Sequence, residues 1–174
     1  MSKGAQIVDK SSVTKLEGRN PSGRPAIDQL DLKILRNLLA DGRISFRELA
    51  WNLGVSTTTV AARVSRLQAA KVIGGYSTVV DFQKLGYELT VVTEIHVSKG
   101  KLLEMEQEIA KVPGVVAVYD VTGEIDAIVI SKCRDREELS RFTKGLLSMH
   151  FVERTNSHVV LTTVKEDFRL PLQP

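Results

Sequence analysis

Between Ser45 and Gly75 the chain reads SFRELAWNLGVSTTTVAARVSRLQAAKVIGG, and the punctuation of that stretch admits few folds. Ser45 followed three residues later by Glu48 has the form of a reciprocal capping box, and Phe46, Leu49, Ala50 and Leu53 recur behind it at helical spacing. Gly54 supplies the left-handed residue that ends such a helix, and Ser56, two residues on, caps another. Val55 plugs the angle of so tight a turn. On the second helix Val60, Val64 and Leu67 share one face, while Thr58, Thr59, Ala62, Ser65 and Arg66 take the opposite one. The pattern predicts a helix-turn-helix whose second helix has separate core and reading faces.

The chemistry of the polar face favours DNA as its partner. Small residues at Ser56, Thr57, Thr58, Thr59 and Ala62 let a helix sit deep in the major groove, with hydroxyls serving base edges or phosphates. Arg66, further along, is expected to reach guanine or the backbone. Arg63 lies at the rim of the core side and has two readings, a phosphate contact or an internal ion pair with an acidic residue of the first helix of the motif. The bland alternative is an αα-hairpin with an ordinary polar surface. Charge distribution argues against it: residues 1–80 carry 12 Lys/Arg against 6 Asp/Glu and residues 81–174 carry 12 against 15, a basic half of +6 joined to an acidic half of −3.

No stretch approaches the 18 or so apolar residues of a membrane helix, and the N-terminus lacks the pattern of a secretion signal, so a cytoplasmic protein with no membrane partner is expected. Cys133 is the only cysteine, which excludes an internal disulfide and a cysteine-based zinc site; at the end of an apolar run it reads as buried filler. Residues 1–26 are rich in Ser, Gly, Pro and basic residues and are expected to be a disordered tail. Within them RNPSGRP has a Gly-Arg-Pro core that lays Arg24 into a narrow minor groove, or else is a plain basic linker.

The remainder divides the chain. Ile27, Leu30, Ile34 and Leu38 step along one face of a helix that opens with Asp28 and Asp31 and stops at Asp41-Gly42. Val72-Ile73 and Tyr76 to Val80 flank Gly74-Gly75 as a two-stranded wing, completing a winged helix-turn-helix domain over 27–80. After a link at 81–86, residues 87–165 read as strand (Tyr87 to Val97), helix (Leu102 to Val112), strand (Val115 to Val121), strand (Ala127 to Ile130), helix capped by Asp135, and strand (Val152 to Val164). That order, βαββαβ, is the ferredoxin-like arrangement, which makes the chain α+β, and 166–174 is left as a tail. A four-stranded sheet with helices on one face leaves the other to a copy of itself, and the resulting homodimer presents two reading helices to one operator.

From LDLKILRNLLADGRISFRELA through GVSTTTVAARVSRLQ, VIGGY and PGVVAVYDVTGEIDAIV to VERTNSHVVLTTVK, the chain resembles the Lrp/AsnC family of bacterial and archaeal transcription factors. The resemblance implies a regulator binding double-stranded DNA, dimers assembling to tetramers or octamers, and a second domain that takes an amino acid between dimers. Carried onto the family's Gly-x-x-Asp turn and Thr-containing last strand, the effector residues are Gly123, Glu124, Asp126, Thr155 and Ser157. A zwitterion needs N–H or hydroxyl donors for its carboxylate and a carboxylate for its ammonium, and these positions offer both. Without the resemblance, TGEID is only a hairpin turn.

Three departures from the family stand out: Lys71 replaces a usual glycine, Met149-His150-Phe151 a usual Pro-Gly turn, and the long N-terminal tail is extra. No cofactor, metal or catalytic residue is expected, the amino acid being an effector. Siroheme decarboxylases look like this family but carry a His-Arg pair where this chain has Phe82-Gln83, and His96 and His158 lack partners for a metal set. The other alternative is an architectural protein that wraps DNA with little sequence preference.

Overall fold

The computed structural model describes residues 23–98 and 100–172; of the expected N-terminal tail, residues 1–22 lie outside them. Two compact units emerge, one running to Thr78 and recovering the chain from Asp167, the other Val79–Glu166.

The first unit is built on three helices, α1 (Gln29–Ala40), α2 (Phe46–Leu53) and α3 (Thr57–Ala69). Their apolar stripes meet in a core of Ile34, Leu49, Ala50, Val60, Val64 and Leu67, the residues whose spacing predicted it. Gly54, at φ 66°, ends α2, and Ser56 caps α3 by accepting the Thr59 N–H at 3.0 Å. Ser45 accepts the Glu48 N–H at 3.1 Å, one half of the expected box. The reciprocal box belongs to α1, where Asp28 and Asp31 exchange backbone-to-carboxylate bonds of 2.9 and 3.0 Å.

The wing does not form. Lys71 takes the left-handed conformation at φ 58°, the one non-glycine described residue with a positive φ, and the N–H groups of Val72 and Ile73 turn back to the Leu67 carbonyl at 2.9 and 3.2 Å. Residues expected as the first wing strand therefore finish the C-terminus of α3, with Ile73 packed on the core, and 74–80 run on without strand pairing. Nor is the end of the chain a separate tail: Leu170 and Leu172 line a groove of about 360 Å³ with Leu35, Leu38, Val72 and Tyr76, and Arg36 Nε donates to the Leu172 carbonyl at 3.0 Å.

The second unit is the expected βαββαβ, with β1 (Leu89–Val97), α4 (Leu102–Ile109), β2 (Val115–Asp120), β3 (Ala127–Cys133), α5 (Arg136–Leu147) and β4 (Val152–Val159). The sheet order is β2-β3-β1-β4, antiparallel throughout. Ile95, Ala127 and Val129 pack with Met105 and Ile109 of α4 and Phe142 and Leu146 of α5, so both helices cover one face. Register explains two shifted boundaries. β3 continues past Ile130 because Lys132 and Cys133 find Thr90 and Leu89 opposite them, and β4 stops near Val160 because its partner β1 begins there. The link at 81–86 tightens into a 3₁₀ turn at Gln83–Leu85.

A side chain in the left-handed region costs about 1 to 2 kcal/mol. Replacing Lys71 with glycine should therefore stabilise the first unit by roughly 1 kcal/mol once the extra flexibility of the unfolded chain is subtracted. Thermal melts of the two proteins followed by circular dichroism check this.

Candidate nucleic-acid interface and effector turn

The start of α3 presents a run of small polar side chains. Thr57, Thr58, Ala62 and Ser65 are exposed and Thr59 is half-buried. The Ser56 hydroxyl lies 2.7 Å from that of Thr58 and 2.8 Å from that of Thr59, so three side-chain oxygens form one cluster of donors and acceptors at the helix start. Small side chains leave the backbone close to whatever the helix meets, which suits insertion into a groove.

The arginines of α3 are both engaged in ion pairs. Arg63 Nη1 pairs with Asp28 Oδ2 and lies 3.3 Å from Asp31 Oδ1, an internal ion pair with the helix that precedes the motif and not with Glu48 of its first helix. Arg66, expected to reach DNA, instead places Nη2 on Asp31 Oδ2 and Nη1 3.3 Å from the Ala26 carbonyl. The cause is burial: Asp31 is 0% exposed, and a carboxylate out of water requires cationic partners. The signal was present in the sequence, since Asp28 and Asp31 are three residues apart on one helix and Arg63 and Arg66 three apart on another, matched rows of opposite charge. Arg24 is exposed ahead of α1.

Reasoning from motifs alone also passed over a concavity of about 820 Å³ between α2 and the start of α3, lined by Arg47, Glu48, Trp51, Val55, Ser56 and Thr57. Trp51 is 87% exposed there.

In the second unit the predicted effector residues lie toward one end of the sheet. Thr155 is opposite Ile95, whose other partner is Ala127, the neighbour of Asp126; Gly123 and Glu124 are exposed in the turn before it. Gly123, at φ 131°, has open space where a side chain would be, so the turn backbone is approachable. Asp126 is half engaged already. Its Oδ2 accepts the Val97 N–H at 2.8 Å, across the irregularity in β1–β4 pairing at His96/Val97. Ser157 stands apart from the turn: it is two residues further along β4, and its hydroxyl meets that of Thr93 at 3.0 Å.

The histidines do not converge. His158 lies opposite Val92 and His96 opposite Arg154, and among the described residues no three His, Cys, Asp or Glu side chains are grouped to hold a metal. Cys133 is buried, which pushes its thiol pKa up. No helix among the described residues is long and apolar enough to cross a membrane.

A three-helix unit that offers a small, hydroxyl-rich helix face, joined to a separate ferredoxin-like unit with an open turn, has the form of a helix-turn-helix transcriptional regulator with a ligand-binding domain. Residues 27–68 match the AsnC-type helix-turn-helix domain and residues 90–170 the Lrp/AsnC ligand binding domain. The chain belongs to the Lrp/AsnC family. It is 47% identical over 144 residues to an uncharacterised HTH-type transcriptional regulator of Pyrococcus abyssi, covering 83% of this chain and 98% of that one. An HTH-type transcriptional regulator of Pyrococcus horikoshii is 33% identical over 150 residues, 86% of this chain and 99% of its own. Among solved structures, E. coli AsnC superposes with a TM-score of 0.76 at 25% identity, over 82% of this chain and 97% of its own. A transcriptional regulator of Neisseria meningitidis in complex with L-Met superposes at 0.77 with 26% identity, over 84% and 97%.

Two outcomes follow from the ion-pair network. Asp31→Asn leaves two guanidinium groups short of a partner and should destabilise the first unit by about 3 kcal/mol, read from a urea melt. The Asp31 N–H and then the Arg63 guanidinium hold the Asp28 carboxyl at about 2 against its ordinary 3.8. A depressed carboxyl stabilises the fold fully above its unfolded value and loses that contribution as pH falls through the folded one. Asp28→Asn should therefore flatten the stability profile between about pH 4 and pH 2, the window set by those two values, in melts across that range.

Proposed function

We propose that this regulator binds double-stranded DNA sequence-specifically as a homodimer, reading bases with Ser56, Thr57, Thr58, Thr59 and Ala62, and that its second unit senses a free amino acid at the turn around Gly123 and Asp126. The observation that carries the DNA half is the exposed face of α3, which holds small hydroxylated and methyl groups while both of the helix's arginines are engaged elsewhere. Specificity then rests on hydroxyl bonds to base edges and on thymine methyl contacts. Arg24, with the basic residues ahead of α1, adds sequence-independent attraction.

Dimerisation is supported by the sheet face turned from the helices, where the strand register places Val92, Ala117, Tyr119, Ile128 and Ile130 together. A second copy covers such a face with the same residues. Assembly of dimers to tetramers or octamers follows from the family resemblance.

For the effector, turn amides and the Thr155 hydroxyl are donors for a carboxylate, and Asp126 with Glu124 supplies negative charge for an ammonium. The Neisseria relative with L-Met supports the ligand class. Ser157, bonded to Thr93, shapes the strand rather than meeting the ligand.

The test is binding to DNA from upstream of the protein's own gene, against random-sequence competitor at ~0.15 M salt, with and without pooled amino acids. We expect a preference of about 10³ or more over competitor, shifted by the pool and abolished in its response by Asp126→Ala. Thr58→Ala should reduce the preference. Binding that random DNA competes away, indifferent to the pool, would replace this reading with the DNA-wrapping one.

A further inference from the structure

Trp51 is the only tryptophan of the chain, and at 87% exposed it presents nearly its whole indole to solvent. An indole is among the largest apolar surfaces a protein has, and leaving it in water forfeits its burial energy. Its position answers what it meets. It lies on α2, whose buried face is Leu49 and Ala50, and it borders the concavity that leads to Ser56 and Thr57 at the start of the reading helix. Arg47 precedes it by four residues, one turn earlier on the same side of α2. Unlike Arg63 and Arg66, Arg47 is exposed and joins no ion pair among the described residues. Glu48 is the one acid in the lining, in the first turn of α2 where the helix dipole favours it.

In a helix-turn-helix complex the first helix of the motif crosses the sugar–phosphate backbone while the second enters the groove. A flat aromatic with a donor N–H, beside an unpaired guanidinium and continuous with the reading face, has the chemistry of that backbone. We propose that Trp51 and Arg47 form a phosphate-strand clamp: the indole lies over deoxyribose with Nε1–H donating to a phosphate oxygen, and Arg47 pairs with a phosphate of the same strand. The clamp carries affinity alone, through the backbone, and reads no sequence itself. It extends the DNA-binding reading of α3 and rests on it.

The sole tryptophan serves as its own reporter in the full-length protein. With a short random-sequence duplex at low salt, emission excited in the indole band should be quenched saturably, along the same isotherm as the anisotropy of the labelled duplex. Trp51→Ala should weaken that binding about tenfold. Trp51→Phe, which keeps a ring and loses the N–H, should fall between. Neither should alter the melting temperature or the ratio of specific to random affinity, whereas Thr58→Ala should alter the ratio. Arg47→Ala should reduce the slope of log affinity against log salt by about 0.9, the signature of one lost phosphate contact. Wild-type anisotropy that reports binding while the indole emission stays constant would overturn the clamp and leave DNA binding intact, as would Trp51→Ala binding with unchanged affinity. Wild-type protein that binds no duplex even at low salt would overturn the DNA-binding reading, and the clamp with it.

Discussion

The carboxylate of Asp31 is wholly buried, and the geometry of the helix-turn-helix is arranged around it. One carboxylate oxygen accepts the Asp28 N–H at the head of α1, and the group as a whole draws in Arg63 and Arg66 from the third helix. A buried charge tolerates little slack, because any displacement leaves it facing apolar atoms. The pairing therefore adds a directional constraint on how α3 sits on α1 to the apolar contacts around it. It also engages both cations of α3 in ion pairs. On the proposed reading, α3 would then discriminate through hydroxyls and methyls, and attraction to phosphate would originate on other elements.

Much of this was legible in the residues. The helix-turn-helix follows from Ser45, Gly54 and Ser56 acting as punctuation, because capping chemistry is local and its partners lie within four residues. The βαββαβ order follows from period-2 strands alternating with capped helices. What escaped prediction is what depends on distant partners. Whether Arg66 meets DNA or Asp31 is decided by a residue 35 positions away, and propensity carries no information about it. The wing failed for a related reason: Val72 and Ile73 have good strand residues, but a left-handed Lys71 sends their N–H groups back to α3. At the turn, the residue types of Gly123 and Asp126 were readable, whereas the bond from the Val97 N–H to Asp126 was not.

That bond gives the turn a second character. The Asp126 carboxylate secures the end of β1 at its irregular step, so the turn is tied to the sheet rather than hanging from it. On the proposed effector reading, an ammonium arriving there would share Asp126 with a backbone N–H. Rigidity of this kind lowers the ordering cost of binding.

The groove on α1 lined by Leu170 and Leu172 makes the first unit discontinuous, since its two stretches are separated by the whole of the second. Synthesis proceeds from the N-terminus, so the three helices leave the ribosome early and wait with that groove unfilled while an entire sheet is made. The part that is translated first is finished last, and its closing contacts are among the most distant in sequence that the chain has to form.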